Sequence, residues 1–179
     1  AITTSTIAGN LVTSFQYDAQ GKKIKQETKI GGTLQNYITF TYSNGDRTVR
    51  GDSHDAAGTL VAYTIDTYDA DMRLTGSETY TPAGVLTGYT VFSDFLNTTG
   101  SFPQLVQTYN ASNTITQTDV HTYQDCQLKK TVSKDGSGTL IGEVNNTLDA
   151  RKLLRTSVAT ILAGGTTITS NTQYVYDCD

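Results

Sequence analysis

A marker of the form Tyr-Asp-x-x-Gly, or a relic of it, returns along this chain at a nearly constant interval, which confines the fold to a repeat architecture. The copies start at Tyr17, Tyr42, Tyr68, Tyr123, Leu148 and Tyr176, at steps of 25, 26, 55, 25 and 28 residues. The long step holds two units, with a degenerate member near Phe95-Leu96-Asn97. Inside each unit a second marker recurs: Gly32-Thr33-Leu34, Gly58-Thr59-Leu60, Gly84-Val85-Leu86 and Gly138-Thr139-Leu140. Asn113-Thr114-Ile115 and Gly165-Thr166-Thr167 are weaker versions. Two turn signals per unit, with threonine-rich segments between them, read as strand, turn, strand, turn.

The segments between turns alternate with a period of two, as a pleated strand requires. Lys23, Lys25, Glu27 and Lys29 share one face, while Ile24, Gln26, Thr28 and Ile30 share the other. Leu34, Asn36, Ile38, Phe40 and Tyr42 alternate with Gln35, Tyr37, Thr39 and Thr41. Eleven tyrosines and scattered valine and isoleucine suit such surfaces, and only Pro82 and Pro103 interrupt them. Asn44-Gly45 is a tight-hairpin dipeptide, and Pro82-Ala83-Gly84 and Asp135-Gly136-Ser137-Gly138 are turns. Asp149 to Leu162 hints at a helix, but Thr156, Val158, Thr160 and Ile161 oppose it. The sequence therefore predicts one all-β domain over residues 1–179, with repeats from about 15 to 176. It is an antiparallel β-hairpin meander of about 12 strands. Open sheets curl or split beyond about ten strands, so closure into a soluble porin-like barrel is the first expectation. A rolled half-barrel or a sandwich is the alternative.

Tyr17-Asp18-Ala19-Gln20-Gly21, followed later by Gly-x-Leu, resembles the YD repeats of bacterial RHS-type surface proteins. In spacing and size the chain also resembles secreted Bacteroidetes proteins and lipoproteins of unknown function with a porin-like β-barrel fold. The resemblance runs from about Phe15 to Tyr176. It implies a bacterial chain that is secreted, periplasmic or associated with the outer membrane, and it transfers no catalytic residue. Tyr42 lacks the Asp and Leu148 replaces the Tyr, so the pattern is degenerate.

The formal charge is −4, with no basic stripe, so the sequence calls for no nucleic-acid partner. Lys22, Lys23, Lys25 and Lys29, interrupted by Glu27, read as a solvated strand face. No apolar run approaches the roughly 20 residues of a membrane helix. The strands also lack the continuous apolar face that a membrane barrel turns to lipid. The expectation is a chain that does not span a membrane, with lipid tethering through an N-terminal segment left open. The start Ala1-Ile2-Thr3-Thr4, without Met, suggests processing or trimming.

Cys126 and Cys178 follow equivalent tyrosines two repeats apart. In a regular meander about 19 Å separates such positions, whereas a disulfide needs Cα atoms within about 7 Å. Export favours pairing all the same, and the expectation is a disulfide pinning the C-terminal tail. His54 and His121 lie far apart with no ligand spacing, and no metal site is expected of them. Asp66, Asp69 and Asp71 cluster at a turn and form a weak calcium candidate, although Asp is also a common turn residue. No Gly-x-Ser-x-Gly elbow is present, and no catalytic residue or cofactor is called for.

Tyr37, Tyr63 and Tyr89 recur at intervals of 26, each three residues after a Gly-x-Leu leucine. Such a row is a candidate ligand-binding ladder for sugar rings or a protein surface. Its rival reading is that the rings pack the repeat itself. The corresponding position of a later unit holds Glu143. The first function expected is a secreted or envelope-associated, non-enzymatic binding module for glycan, lipid or protein. A structural or spacer surface protein is the alternative, and an unrecognised hydrolase comes third.

Overall fold

The computed structural model describes residues 2–4, 11–96, 102–124, 126–149, 154–163 and 166–173. They form fourteen strands and no helix. In chain order these are β1 (Ile2–Thr4), β2 (Leu11–Tyr17), β3 (Lys23–Ile30), β4 (Thr33–Ser43), β5 (Thr48–Asp55), β6 (Leu60–Tyr68) and β7 (Leu74–Tyr80). There follow β8 (Leu86–Phe95), β9 (Pro103–Asn110), β10 (Ile115–Gln124), β11 (Gln127–Asp135), β12 (Leu140–Leu148), β13 (Leu154–Ala163) and β14 (Thr166–Gln173). Sheet order equals chain order, β1 through β14, so the meander is as the repeat predicts. Two strands, β1 and β2, precede the first Tyr-Asp turn and bring the expected twelve or so to fourteen. Asp149 to Leu162 is no helix, since β13 occupies it from Leu154 onwards.

Closure is not observed. Among the described residues β1 pairs only with β2 and β14 only with β13. The open alternative, not the hydrogen-bonded barrel, matches these pairings. The chain divides into two compact units, Ala1–Tyr89 and Thr90–Asp179, and each is described by itself. Among the described residues no helix is long and apolar enough to cross a membrane.

The Asp of the Tyr-Asp marker, and the Asp or Asn three residues before the Gly-x-Leu marker or its weaker version, act through their side chains. Asp18, Asp55, Asp69, Asn110 and Asp135 each accept, on Oδ1, the backbone N–H groups two and four residues on. Each also closes its hairpin by donating its own N–H to the carbonyl four residues ahead. Thr81 does the same work with its hydroxyl, which accepts from Val85 N–H. The residue three places on must then be left-handed: Gly21 (φ 80°), Gly58 (89°), Gly84 (82°) and Gly138 (86°), but also Met72 (59°) and Asn113 (60°). This is a type I turn followed by a bulge, a common hairpin loop. Threonine completes it on several strands. Thr75, Thr87 and Thr116 hydroxyls donate to the carbonyls of Thr67, Thr79 and Thr108 across the hairpin. Asn44-Gly45 forms a looser connection, in which Ser43 and Thr48 pair around residues 44–47.

Met72 is the misfit of the set. A left-handed L-residue costs roughly 1–2 kcal/mol, which glycine avoids at a smaller entropic cost. Met72→Gly should therefore raise stability by about 0.5–1 kcal/mol, read as a higher denaturant midpoint at unchanged slope. An unchanged or lower midpoint would show that the Met72 side chain contributes more than its backbone costs.

Among the described residues each strand lies beside its neighbours in the chain. No apolar side chain is fully buried there; Gly51 and Asn146 are the buried residues. In the Ala1–Tyr89 unit one face carries Phe15, Gln26, Ile38, Phe40 and Thr64 around Gly51. A Cβ on Gly51 would lie 3.1 Å from Thr64 Oγ1 and 3.5 Å from Ile38 Cγ2. The glycine thus lets Ile38 and Phe40 close over the strand.

Candidate functional site

The opposite face of the Ala1–Tyr89 unit carries the tyrosine row. Register places Glu27, Tyr37 and His54 in one line across β3, β4 and β5. Lys25, Thr39, Asp52, Tyr63 and Tyr80 form the next line, from β3 to β7. The Tyr37 and His54 rings stack with centroids 4.6 Å apart and planes 8° from parallel. Tyr63 and Tyr80 stack at 4.8 Å and 10°. Cations cover the other sides: Lys25 Nζ is 4.6 Å from the Tyr37 centroid and Arg50 Cζ is 3.8 Å from that of Tyr63. Since β3 and β5 flank β4, and β5 and β7 flank β6, both faces of Tyr37 and of Tyr63 are occupied.

Their hydroxyls lean on the turn of the following repeat. A Cβ on Gly58 would lie 3.5 Å from Tyr37 Oη, and one on Gly84 would lie 3.6 Å from Tyr63 Oη. Carboxylates hold the cations in place, with Arg50 Nη2 2.7 Å from Asp52 and Lys25 Nζ 2.8 Å from Glu27. The Tyr80 hydroxyl donates to Glu78 at 2.7 Å, and that carboxylate raises its pKa. Tyr89 is half-buried in β8. Stacking on a sugar needs a free ring face, which Tyr37 and Tyr63 lack. Sequence reading missed His54, Tyr80, Arg50 and Lys25 as parts of this row, because cross-strand partners follow from register alone.

A cavity of about 410 Å³ opens on the other face, at the turn ends of β3 to β7. A β-bulge creates its cationic wall. The register shifts between Gln16 and Tyr17, so Lys23 leaves the face of Lys25 and Lys29 and turns over. The one-face lysine cluster expected from alternation is corrected accordingly. Lys23 Nζ lies 4.2 Å from the Phe40 centroid and 5.7 Å from that of Phe15, and makes no ion pair among the described residues. Lys22 pairs with Asp46 at 2.8 Å, which raises the ammonium's pKa. Tyr42 donates its hydroxyl to Lys23 O at 2.9 Å, and burial raises its pKa. Tyr68 lines the same cavity; burial raises its pKa as well, and its hydroxyl has no hydrogen-bond partner among the described residues. Asp66 accepts from Ser77 Oγ at 2.6 Å. Convergent donors and acceptors between aromatic walls in a cavity of this size suit a small ligand.

The remaining candidates are not brought together. Asp69 binds Arg73 Nη2 at 2.6 Å and Asp71 lies 3.5 Å from the same guanidinium, while Asp66 faces Ser77. A protein cation thus stands where calcium would, and no three metal-ligating side chains cluster among the described residues. Cys126 is exposed on the β10–β11 turn with φ 63°. Cys178 lies outside the described residues, and with it the expected disulfide. Tyr176 does too. In the Thr90–Asp179 unit His121 Nδ1 sits 2.9 Å from Thr131 Oγ1, and burial lowers its pKa. Asn146 donates to Leu128 O at 2.9 Å while its buried Oδ1 has no partner among the described residues.

No family model matches the chain, and no curated protein does. Solved structures are similar to it, two from Bacteroides among them. A porin-like protein from Bacteroides uniformis matches 90% of this chain and 88% of its own length, at 12% identity and a TM-score of 0.47. A protein of unknown function from Bacteroides fragilis matches 92% of this chain and 91% of its own, at 9% identity and a TM-score of 0.30.

Proposed function

We propose that the chain is a non-enzymatic binding module, secreted or associated with a bacterial envelope, which holds one saccharide unit in the cavity beside Lys23 and Tyr68. The Lys23 ammonium, which has no ion pair among the described residues, and the Tyr68 phenol at an aromatic-walled cavity carry this reading. A sugar offers an apolar ring face to Phe40 and Tyr42, and hydroxyls to Lys23, Tyr68 and Asp66. The tyrosine row is then architectural: it locks each repeat to the next turn, and it does not contact ligand. Export rests on the polar, threonine-rich sequence and on its resemblance to secreted proteins.

A glycan array followed by calorimetry on the best hit tests the proposal. Tyr68→Phe should weaken binding about 5–10-fold, the worth of one hydrogen bond, with the thermal midpoint unchanged. Tyr89→Phe, on the opposite face of the repeat pattern, should bind like the parent. Loss of one bond in Tyr68→Phe without effect on affinity would remove the ligand from this cavity. No binding to any glycan would leave the structural or spacer role, which the occupied ring faces of Tyr37 and Tyr63 favour as the second reading.

A further inference from the structure

We infer that β14 is an open docking edge and that its occupant is β14 of a second copy of this chain, paired antiparallel about Ile168. Among the described residues β14 is bonded on one side only, to β13. All eight of its residues are exposed. Sheet proteins protect such edges with charge, proline, bulges or shortness. Thr166 to Gln173 contains no charged residue and no proline, and its eight pairs with β13 run without a register shift.

The side chains favour a second copy over an unrelated strand. Ile161 and Ile168 face each other across β13 and β14 and are 53% and 55% exposed. Antiparallel pairing of two β14 strands centred on Ile168 puts each Ile168 opposite its mate. The row then reads Ile161, Ile168, Ile168, Ile161 across four strands, which covers both exposed pairs at once. The same register sets Thr167 opposite Thr169 and Thr166 opposite Ser170, pairs that hydrogen-bond readily. The chain is acidic overall, yet no charge meets its own image at this edge. A two-fold contact of this kind is isologous and closes after two copies. Its small area makes it weak, with dissociation in the range of about 10–100 µM.

Sedimentation velocity from about 5 to 200 µM spans that range. The expected result is a concentration-dependent dimer, lost in Ile168→Lys at unchanged far-UV spectrum. In a Cys126→Ser, Cys178→Ser background, Ile168→Cys should form a disulfide-linked dimer under mild oxidation, because each Cys faces its mate. Thr172→Cys, away from the centre, should cross-link far less. A parent chain that stays monomeric at the highest concentration overturns the inference. So does a dimer that survives Ile168→Lys, or cross-linking at position 172 that equals that at 168.

Discussion

Gly136→Ala should destabilise the Thr90–Asp179 unit by about 2–3 kcal/mol, the upper range for overpacking. A Cβ at Gly136 would run into the carbonyl oxygen of Ile115, with Ile115 C 3.1 Å and Thr116 Cα 3.5 Å away. The neighbour is backbone on the adjacent strand β10, so no side-chain rotamer relieves the contact and the β10–β11 ladder must shift. Gly138, two residues on in the same turn, is the internal control. Nothing lies within 4 Å of a Cβ there, but φ is 86°, so Gly138→Ala meets only left-handed backbone strain of roughly 1–2 kcal/mol. Chemical denaturation of both variants separates space from conformation. A smaller loss for Gly136→Ala than for Gly138→Ala would show that the turn yields more easily than this geometry allows.

The repeat was legible because turns are local. Asp18, Asp55, Asp69 and Asp135 bond backbone two and four residues ahead, so a short window of sequence contains both partners. Register is less local. A bulge between Gln16 and Tyr17 moves Lys23 to the other face and creates the cationic wall of the cavity, and nothing in the alternation of Lys23, Lys25, Glu27 and Lys29 announces it. His54 and Tyr80 meet Tyr37 and Tyr63 through the same kind of pairing between strands. Closure is least local of all. It depends on stagger and tilt accumulated over every strand, to which β1 and β14 contribute only at the end. Tyr37 and Tyr63 stand on one face of the Ala1–Tyr89 unit, and what covers their rings depends on Lys25 and Arg50 from neighbouring strands.

The turn carboxylates should set the acid limit of stability. Backbone N–H of Arg73, and then its guanidinium, hold the Asp69 carboxyl below the usual range. The Ser137 hydroxyl and the Thr139 N–H do the same for Asp135. A carboxyl whose folded pKa lies below its unfolded value of about 3.9 contributes fully above that pH, and its contribution is lost as pH falls through the folded value. Asn110 shows that an amide oxygen can fill the same place, bonding Ser112 and Thr114 N–H at 2.9 and 3.0 Å without titrating. An Asp69→Asn, Asp135→Asn chain should therefore keep most of its turn bonds and show a flatter fall in thermal midpoint below pH 4. An Asp69→Ala, Asp135→Ala chain loses the acceptors as well, and at pH 7 should melt on the order of 3 °C lower per turn. The three melting curves against pH decide the matter: if the Asn chain falls as steeply in acid as the parent, the turn carboxylates are not what acid removes.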